Sequence, residues 1–388
     1  MATNDKQMQY RKQGFAASYL AACALHDRTP VLPEAVDLDE LFKFCKFHSI
    51  TAIVAMGLEM LWKEHPAEDD LMKPWRQARD MAIRKNILLN AERERILAHL
   101  ESIGCWYMPL KGSLLQFDYP QFGMRQMSDN DILFDETKER EVYEFMTGSG
   151  YEAVTYRQGK DDVYTRKPLY TLEMHRSLFS DALNPELAEY YWDVKKRLVK
   201  DEGNGFGYHF TCEDFYIFMV IHAYKHFLHG GVGIRNLLDV HVYDSKYGAK
   251  MDWEYLRKEL SKLGAWDFDQ NCRSLGKKLF EDPMAETEYS QEELLILDNF
   301  FSSGTFGTKQ QALDNRLREL TRDGKGCGKI RYILNRMFPS MALMKDRYPG
   351  LRKFPWLAPA FYLHRFFTAI FRREAIGQEL HHLKNTKK

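Results

Sequence analysis

Hydrophobic positions in the first hundred residues recur at three- and four-residue spacings, as in Leu38, Leu41, Phe42 and Cys45. The stretch from Phe15 to about Ser102 therefore predicts helices, with no turn cluster between Trp75 and Leu100. Within it, the charged run Ala91 to His99 fits a solvated helix face. The period changes after Gly104. CWYMPL reads as a short apolar strand, Lys111-Gly112-Ser113 as a loop, and Leu114 to Phe117 as a helical stretch. Asn130 to Phe134 predicts a strand and Glu136 to Met146 a helix, with Gly148-Ser149-Gly150 as its stop. Tyr151 to Arg157, Asp162 to Arg166 and Tyr170 to Leu178 then alternate as strands, the first two joined around Gln158-Gly159-Lys160.

Beyond Asn184 the helical period returns. Its clearest helix is Cys212 to Leu228, with Thr211 and Asp214 spaced as a capping box and Gly230-Gly231 as the stop. Ile234 to Ser245, Trp253 to Leu263, Phe268 to Phe280, Gln291 to Phe301 and Gln310 to Leu320 follow as further helices. The order predicts an α+β chain in three parts: a helical N-terminal region (1–103), a small mixed-sheet α/β core (104–183) and a helical C-terminal region (184–388). A chain of 388 residues is long enough for two or three such units, and no internal repeat or low-complexity tract interrupts it.

Composition narrows the class. Apolar residues at 45% can fill real cores, while 55 Lys+Arg against 55 Asp+Glu leave no net field. Long nucleic acid binds mainly through phosphate neutralisation by a basic surface, so it is not the expected partner. The six cysteines (Cys23, Cys45, Cys105, Cys212, Cys272, Cys327) form no C-x-x-C pair and read as reduced thiols. The N-terminal MATNDKQMQYRKQGF lacks the apolar run of a secretory signal, and a cytoplasmic protein is expected. The apolar stretch Phe354 to Phe371 is broken by two prolines, His364 and Arg365, and is no transmembrane helix. Its flanks, Arg352, Lys353, Arg372 and Arg373, would suit peripheral membrane contact over 354–373, but packing on its own domain is the commoner fate of such a segment.

The candidate chemistry lies in LKGSLLQFDYPQFGMRQMSDNDILF. Residues i and i+2 of a strand face one side, so Asp129 and Asp131 bring two carboxylates to one point, where a hard oxygen-seeking cation such as Mg²⁺ is the natural remedy. In YTLEMHRSL, Glu173 shares a face with His175 and offers a third acid. Gly112-Ser113 stands where a strand turns into a helix, an arrangement that cradles phosphate, with Lys111 and Arg125 able to add charge. The arrangement requires Glu173 on the same side of the sheet as the aspartates, and Ser113 beside them.

The order strand, Gly-Ser, helix, strand with Asp-x-Asp, later strand with an acid resembles the nucleotidyltransferase fold of the DNA polymerase beta superfamily. More narrowly, KGSLLQFDYPQFGMRQMSDNDILF, the Gly148 to Tyr151 stop and LEMHRSL resemble a bacterial family of uncharacterised nucleotidyltransferases. The likeness extends to the helix with His222 and His226, to GIRNLLDV, and to Phe338-Pro339 and Arg347-Tyr348-Pro349. It implies a polymerase beta-like catalytic unit in which Gly112 and Ser113 contact the triphosphate, while Asp129, Asp131 and Glu173 are catalytic and bind two Mg²⁺ ions. An NTP such as ATP would then donate its nucleoside monophosphate to a hydroxyl or amine of an unidentified acceptor, a small molecule for preference, with release of pyrophosphate. The alternatives are a non-catalytic nucleotide-binding module, or a toxin-like modifier of tRNA or protein.

Other residues invite two readings. His222, His226 and His229 share a helix face, but without a His-Glu-x-x-His pattern they read as partly buried helix residues rather than zinc ligands. Lys225, on a neighbouring face, is the better phosphate contact. Arg235 and Asp239 stand four apart, and a local i,i+4 ion pair is the expectation. His175 would either orient Glu173 or serve as a structural donor.

Overall fold

The computed structural model describes residues 2–32, 36–203, 205–305, 307, 312 and 338–371, without the side chains of 2–4 and 366–371. The expected helix over Gln310 to Leu320 lies, except for Ala312, outside the described residues, as do Cys327, Arg372 and Arg373.

The N-terminal helices are α1 (Ala2–Leu25), α2 (Leu38–His48), α3 (Thr51–Glu64) and α4 (Asp69–Ser102). Asp37 caps α2 by accepting from the Asp39 and Glu40 amides, a usual N-cap arrangement. Along α3 every residue from Thr51 to Leu58 is buried, so it shows no amphipathic period.

A five-stranded sheet follows. Its strands are β1 (Tyr107–Pro109), β2 (Asn130–Phe134), β3 (Glu152–Thr155), β4 (Asp161–Arg166) and β5 (Tyr170–His175), in the order β1-β2-β5-β4-β3. β2 and β5 run parallel, and the other neighbours are antiparallel. The strands are shorter than the sequence pattern suggests. β1 holds only the middle of CWYMPL, and the helical turn after it, α5 (Gly112–Leu115), begins two residues early. Helix α6 (Glu139–Gly148) connects β2 to β3.

The alternation of β2 and β5 gives the sheet two unlike faces. Ile132, Phe134, Leu172, Met174 and Tyr164 of β4 point one way, into a core closed by Val142 and Met146 of α6 and by Ile96 and Leu100 of α4. Asp131, Glu173, His175 and Asp161 occupy the strand positions of the other face.

Helices return as α7 (Pro185–Tyr190), α8 (Cys212–His229), α9 (Ile234–Tyr247), α10 (Trp253–Lys262), α11 (Trp266–Phe280) and α12 (Gln291–Ser303), with a hairpin β6 (Leu198–Lys200) and β7 (Tyr208–Phe210) before α8. Thr211 caps α8 by accepting from the Asp214 amide. The reciprocal half of the expected box is not made, because the Asp214 carboxylate accepts from Tyr255 Oη at 2.8 Å instead. A complete capping box stands at Ser290 and Glu293, ahead of α12. α1 packs against α11 and α12, so the helices before and after the sheet share one large hydrophobic core.

The last described segment has α13 (Met341–Arg347), α14 (Gly350–Lys353) and α15 (Ala358–Phe371), around a small core of Met344, Leu351 and Ala358. Asp346 tethers it to the sheet unit: its carbonyl accepts from the Gly159 amide at 3.2 Å, and its carboxylate accepts from Ser180 Oγ. No helix among the described residues is long and apolar enough to cross a membrane.

Candidate active site

Strand register builds the acidic centre. Asp131 of β2 pairs directly with Glu173 of β5, and on the far side of β5 Asp161 of β4 pairs with His175. Asp131, Glu173 and His175 each offer a ligand atom, all within 4.8 Å of one another. Asp129 lies one residue before β2, and the Asp131 charge reaches it. Asp131 and Glu173 thus share one sheet face with His175, while Asp129, just before the strand and outside that cluster, acts on both acids through its charge.

Hydrogen bonds order this centre. The Lys160 ammonium donates to His175 Nδ1 at 3.0 Å, which leaves Nε2–H to donate to Asp131 Oδ1 at 2.9 Å. Lys160 also pairs with Asp161. Burial would raise the Asp131 carboxyl, but the Lys111 charge, with Nζ at 3.8 Å, and the His175 bond outweigh it and hold the group well below the usual range. Glu173 has only His175 Nε2 at 3.6 Å and the Lys160 charge, and burial with the charges of Asp131, Asp129 and Asp161 outweighs them and pushes it up to about 7. Asp129 is raised as well, first by burial and then by Asp131. One acid is thus held ionised beside two whose ionisation burial and like charge oppose, an opposition that a bound cation would relieve. Asp131, Glu173 and His175 together offer two carboxylates and an imidazole nitrogen, a donor set able to hold a divalent cation.

Basic groups stand opposite. Lys111 precedes α5 with φ 42° and ψ −112°, a left-handed conformation costly for a residue with a Cβ, and its Nζ donates to His222 Nε2 of α8 at 2.8 Å. Lys225, one turn on, is half-buried over Phe179. Burial first, then the Lys111 and Lys160 charges, bring its pKa down to about 8. His226 is brought down to about 3 by burial and Lys225, and lies 3.3 Å from His222. Burial and nearby lysine charges thus hold both histidines toward the neutral form, with Lys111 bonded to His222 and His222 in turn beside His226. Lys111, Lys160 and Lys225 form a cationic rim around the acids.

The remaining candidates are placed differently. Ser113 is buried, and its hydroxyl donates to the Leu110 carbonyl at 2.6 Å, closing the turn. That turn begins beside the acids, since the Leu110 amide donates to the Asp131 carbonyl at 2.9 Å. At Gly112 a Cβ would sit 2.4 Å from Arg125 Nη1, so the glycine is required by the approach of that guanidinium. Arg125 is itself buried and donates through Nε and Nη2 to both oxygens of Asp239, at 2.8 and 2.9 Å. This corrects the expected Arg235–Asp239 pair. A planar fork meeting a carboxylate in a dry core outcompetes a local helix contact of about 0.3 kcal/mol.

Three residues near the acids escaped the sequence reading. Asp161 and Lys160 border a polar turn of the ordinary solvated kind, and only the β4–β5 register brings them to His175. Lys85, inside the long helix α4, acts on Asp129 across a separation no local pattern encodes.

Among solved structures the chain is similar to an antigenic nucleotidyltransferase-like protein from Paracoccidioides brasiliensis. The two are 15% identical with a TM-score of 0.24, over 47% of this chain and 92% of that one. No curated protein matches. The model of a family described as uncharacterised nucleotidyltransferase matches residues 34–281, more than half of the chain, and the protein belongs to that family.

Proposed function

We propose that the chain transfers a nucleoside monophosphate from an NTP to a hydroxyl or amine of a small acceptor, on a polymerase beta-like unit spanning 104–183 between the two helical regions. The observation that carries this reading is the pairing of Asp131 with Glu173 on parallel strands, with Asp129 beside them and Lys111, Lys160 and Lys225 around them. Acids for metal next to cations for phosphate are the two halves of an NTP·Mg²⁺ site.

Asp129, Asp131 and Glu173 would hold two Mg²⁺ ions. Bound there, the ions would lower the pKa of the attacking group and neutralise the leaving oxygens. His175 holds Asp131 in place, and Lys160 fixes the tautomer that lets it do so. Lys111 and Lys225 bind the phosphates, while the Gly112-Ser113 turn sets the position of Lys111. With Arg125 committed to Asp239, its part is to brace that turn. The acceptor oxygen or nitrogen bonds to Pα as the Pα–O bond to the β-phosphate breaks, pyrophosphate leaves, and the acceptor's proton passes to solvent.

Titration calorimetry with the four NTPs, with and without Mg²⁺, followed by incubation with labelled NTPs and cell extract, tests the reading. Mg²⁺-dependent NTP binding and pyrophosphate release are expected. The variant carrying D129A and D131A should lose transfer with its circular dichroism unchanged. Full transfer by that variant overturns the mechanism, and binding without pyrophosphate release identifies a nucleotide-binding module instead.

A further inference from the structure

The last described segment packs on one side only. Leu357, Ala358, Phe361 and Tyr362 turn toward Met344 and Leu351, and Tyr362 Oη donates to the Pro339 carbonyl at 2.7 Å. The residues between them stay open. From 354 to 363 the exposed positions are Phe354, Pro355, Trp356, Pro359, Ala360 and Leu363, with no polar side chain among them. Trp356 is 73% exposed and Leu363 61%, and the rings of Phe354 and Trp356 lie 6.4 Å apart. Trp356, Ala360 and Leu363 recur at helical spacing, so the apolar surface is a helix face and not a scatter of single residues.

Cations border this face. Residues 338–365 hold five basic side chains (Lys345, Arg347, Arg352, Lys353 and Arg365) and one acid, Asp346, in a chain with 55 residues of each sign. Asp346 is engaged, taking a 3.3 Å bond from Ser180 Oγ and standing 3.7 Å from Arg352. Arg352 and Lys353 are exposed directly ahead of the aromatic pair, and the Lys353 ammonium lies 5.6 Å from the Phe354 ring centre.

Aromatic rings edged by lysine and arginine suit the boundary of a lipid bilayer, where the rings enter beside the acyl chains and the charged groups stay with the lipid phosphates. A protein interface carries about one hydrogen bond per 100–200 Å². The open face of 354–363 offers no side-chain group for one, and hydrocarbon asks for none. No helix among the described residues is long and apolar enough to cross a membrane, so the segment would lie in the interface plane.

We propose that the open face of residues 352–363 docks on an anionic phospholipid surface, with Phe354, Trp356 and Leu363 entering the interface and Arg352 and Lys353 meeting the headgroup phosphates.

Sedimentation of the full chain with vesicles tests this, comparing phosphatidylcholine mixed with phosphatidylserine against phosphatidylcholine alone. Binding to the mixed vesicles is expected, falling as NaCl rises. It should weaken at least about tenfold in F354A with W356A, and likewise in R352Q with K353Q. These side chains are exposed, so circular dichroism and melting temperature should stay as in wild type. Phosphatidylcholine brominated on its acyl chains, mixed with phosphatidylserine, should quench tryptophan fluorescence, and W356F should still bind but lose that quenching. The proposal is overturned if the full chain sediments with neither vesicle, if it binds both alike, if both paired variants bind as wild type does, or if W356F is quenched as wild type is. A dimer that F354A with W356A dissociates, in protein that binds no vesicle, would give the face to a second copy of the chain instead. None of these readouts involves NTP, so they stand or fall apart from the nucleotidyltransferase reading.

Discussion

Asp131 and Glu173 stand directly opposite each other on the parallel strands β2 and β5, yet their acidities are driven apart, the first far down and the second up to about 7. The asymmetry follows from what each faces. Asp131 has Lys111 and His175, while Glu173 has burial and three other carboxylates, those of Asp131, Asp129 and Asp161. Glu173 therefore binds more protons folded than unfolded between its ordinary 4.5 and about 7. In metal-free protein this group makes stability fall as pH rises through that window, and a divalent cation should reverse the loss. Mg²⁺ is expected to raise the melting temperature more at about pH 8 than at about pH 5.5, with the difference much reduced in E173Q. A Mg²⁺ effect independent of pH in wild type would contradict this.

His175 bridges Lys160 and Asp131, and so touches the proposed metal site through its own hydrogen bond. Removing such a bridge leaves the aspartate free to turn away, at a typical loss of about 10–100-fold in metal affinity. H175A should show that loss in Mg²⁺ titration. H175Q, whose side-chain amide can still donate to Asp131, should recover part of it. A purely structural histidine would lower the melting temperature of both variants and leave their Mg²⁺ affinities equal.

The buried Arg125–Asp239 pair ties α9 to the chain leading into β2. D239A would strand a guanidinium in the core, and breaking one side of a buried pair commonly costs about 3–5 kcal/mol. Urea unfolding should show a loss of that size. Replacing both partners, as in R125M with D239L, should cost much less than D239A alone, because no unpaired charge remains.

That pair also marks how far the sequence could be read. Alternation in NDILF and YTLEMH is strong because one face of each strand enters the core through Ile132, Phe134, Leu172 and Met174, so the shared face of Asp131 and Glu173 was legible. The neighbours of those acids were not. Asp161 reaches His175 through antiparallel register, Arg125 reaches Asp239 across 114 residues, and the Lys85 charge acts on Asp129 from α4. Helix and strand periods report which face is buried and are silent on which buried faces meet. The Arg235–Asp239 expectation failed for the same reason, since a four-residue spacing permits a contact but a stronger partner from outside the helix can take it.

Lys111 carries a different tension. With φ 42° and ψ −112° it occupies a region that glycine enters freely, and an ordinary residue pays of order 1–3 kcal/mol to stay there. Gly112 follows immediately, yet the strained position itself is occupied by a lysine whose ammonium reaches His222 and Asp131. Such strain persists where a side chain is needed at one point, and the proposed phosphate contact is that need. K111G and K111A both remove the ammonium, but only K111G relieves the backbone. K111G should therefore unfold at higher denaturant than K111A, by about 1 kcal/mol, while both lose NTP affinity alike. Equal stability of the two variants would mean that the turn relaxes without strain, and unchanged NTP binding in either would remove Lys111 from the phosphate site.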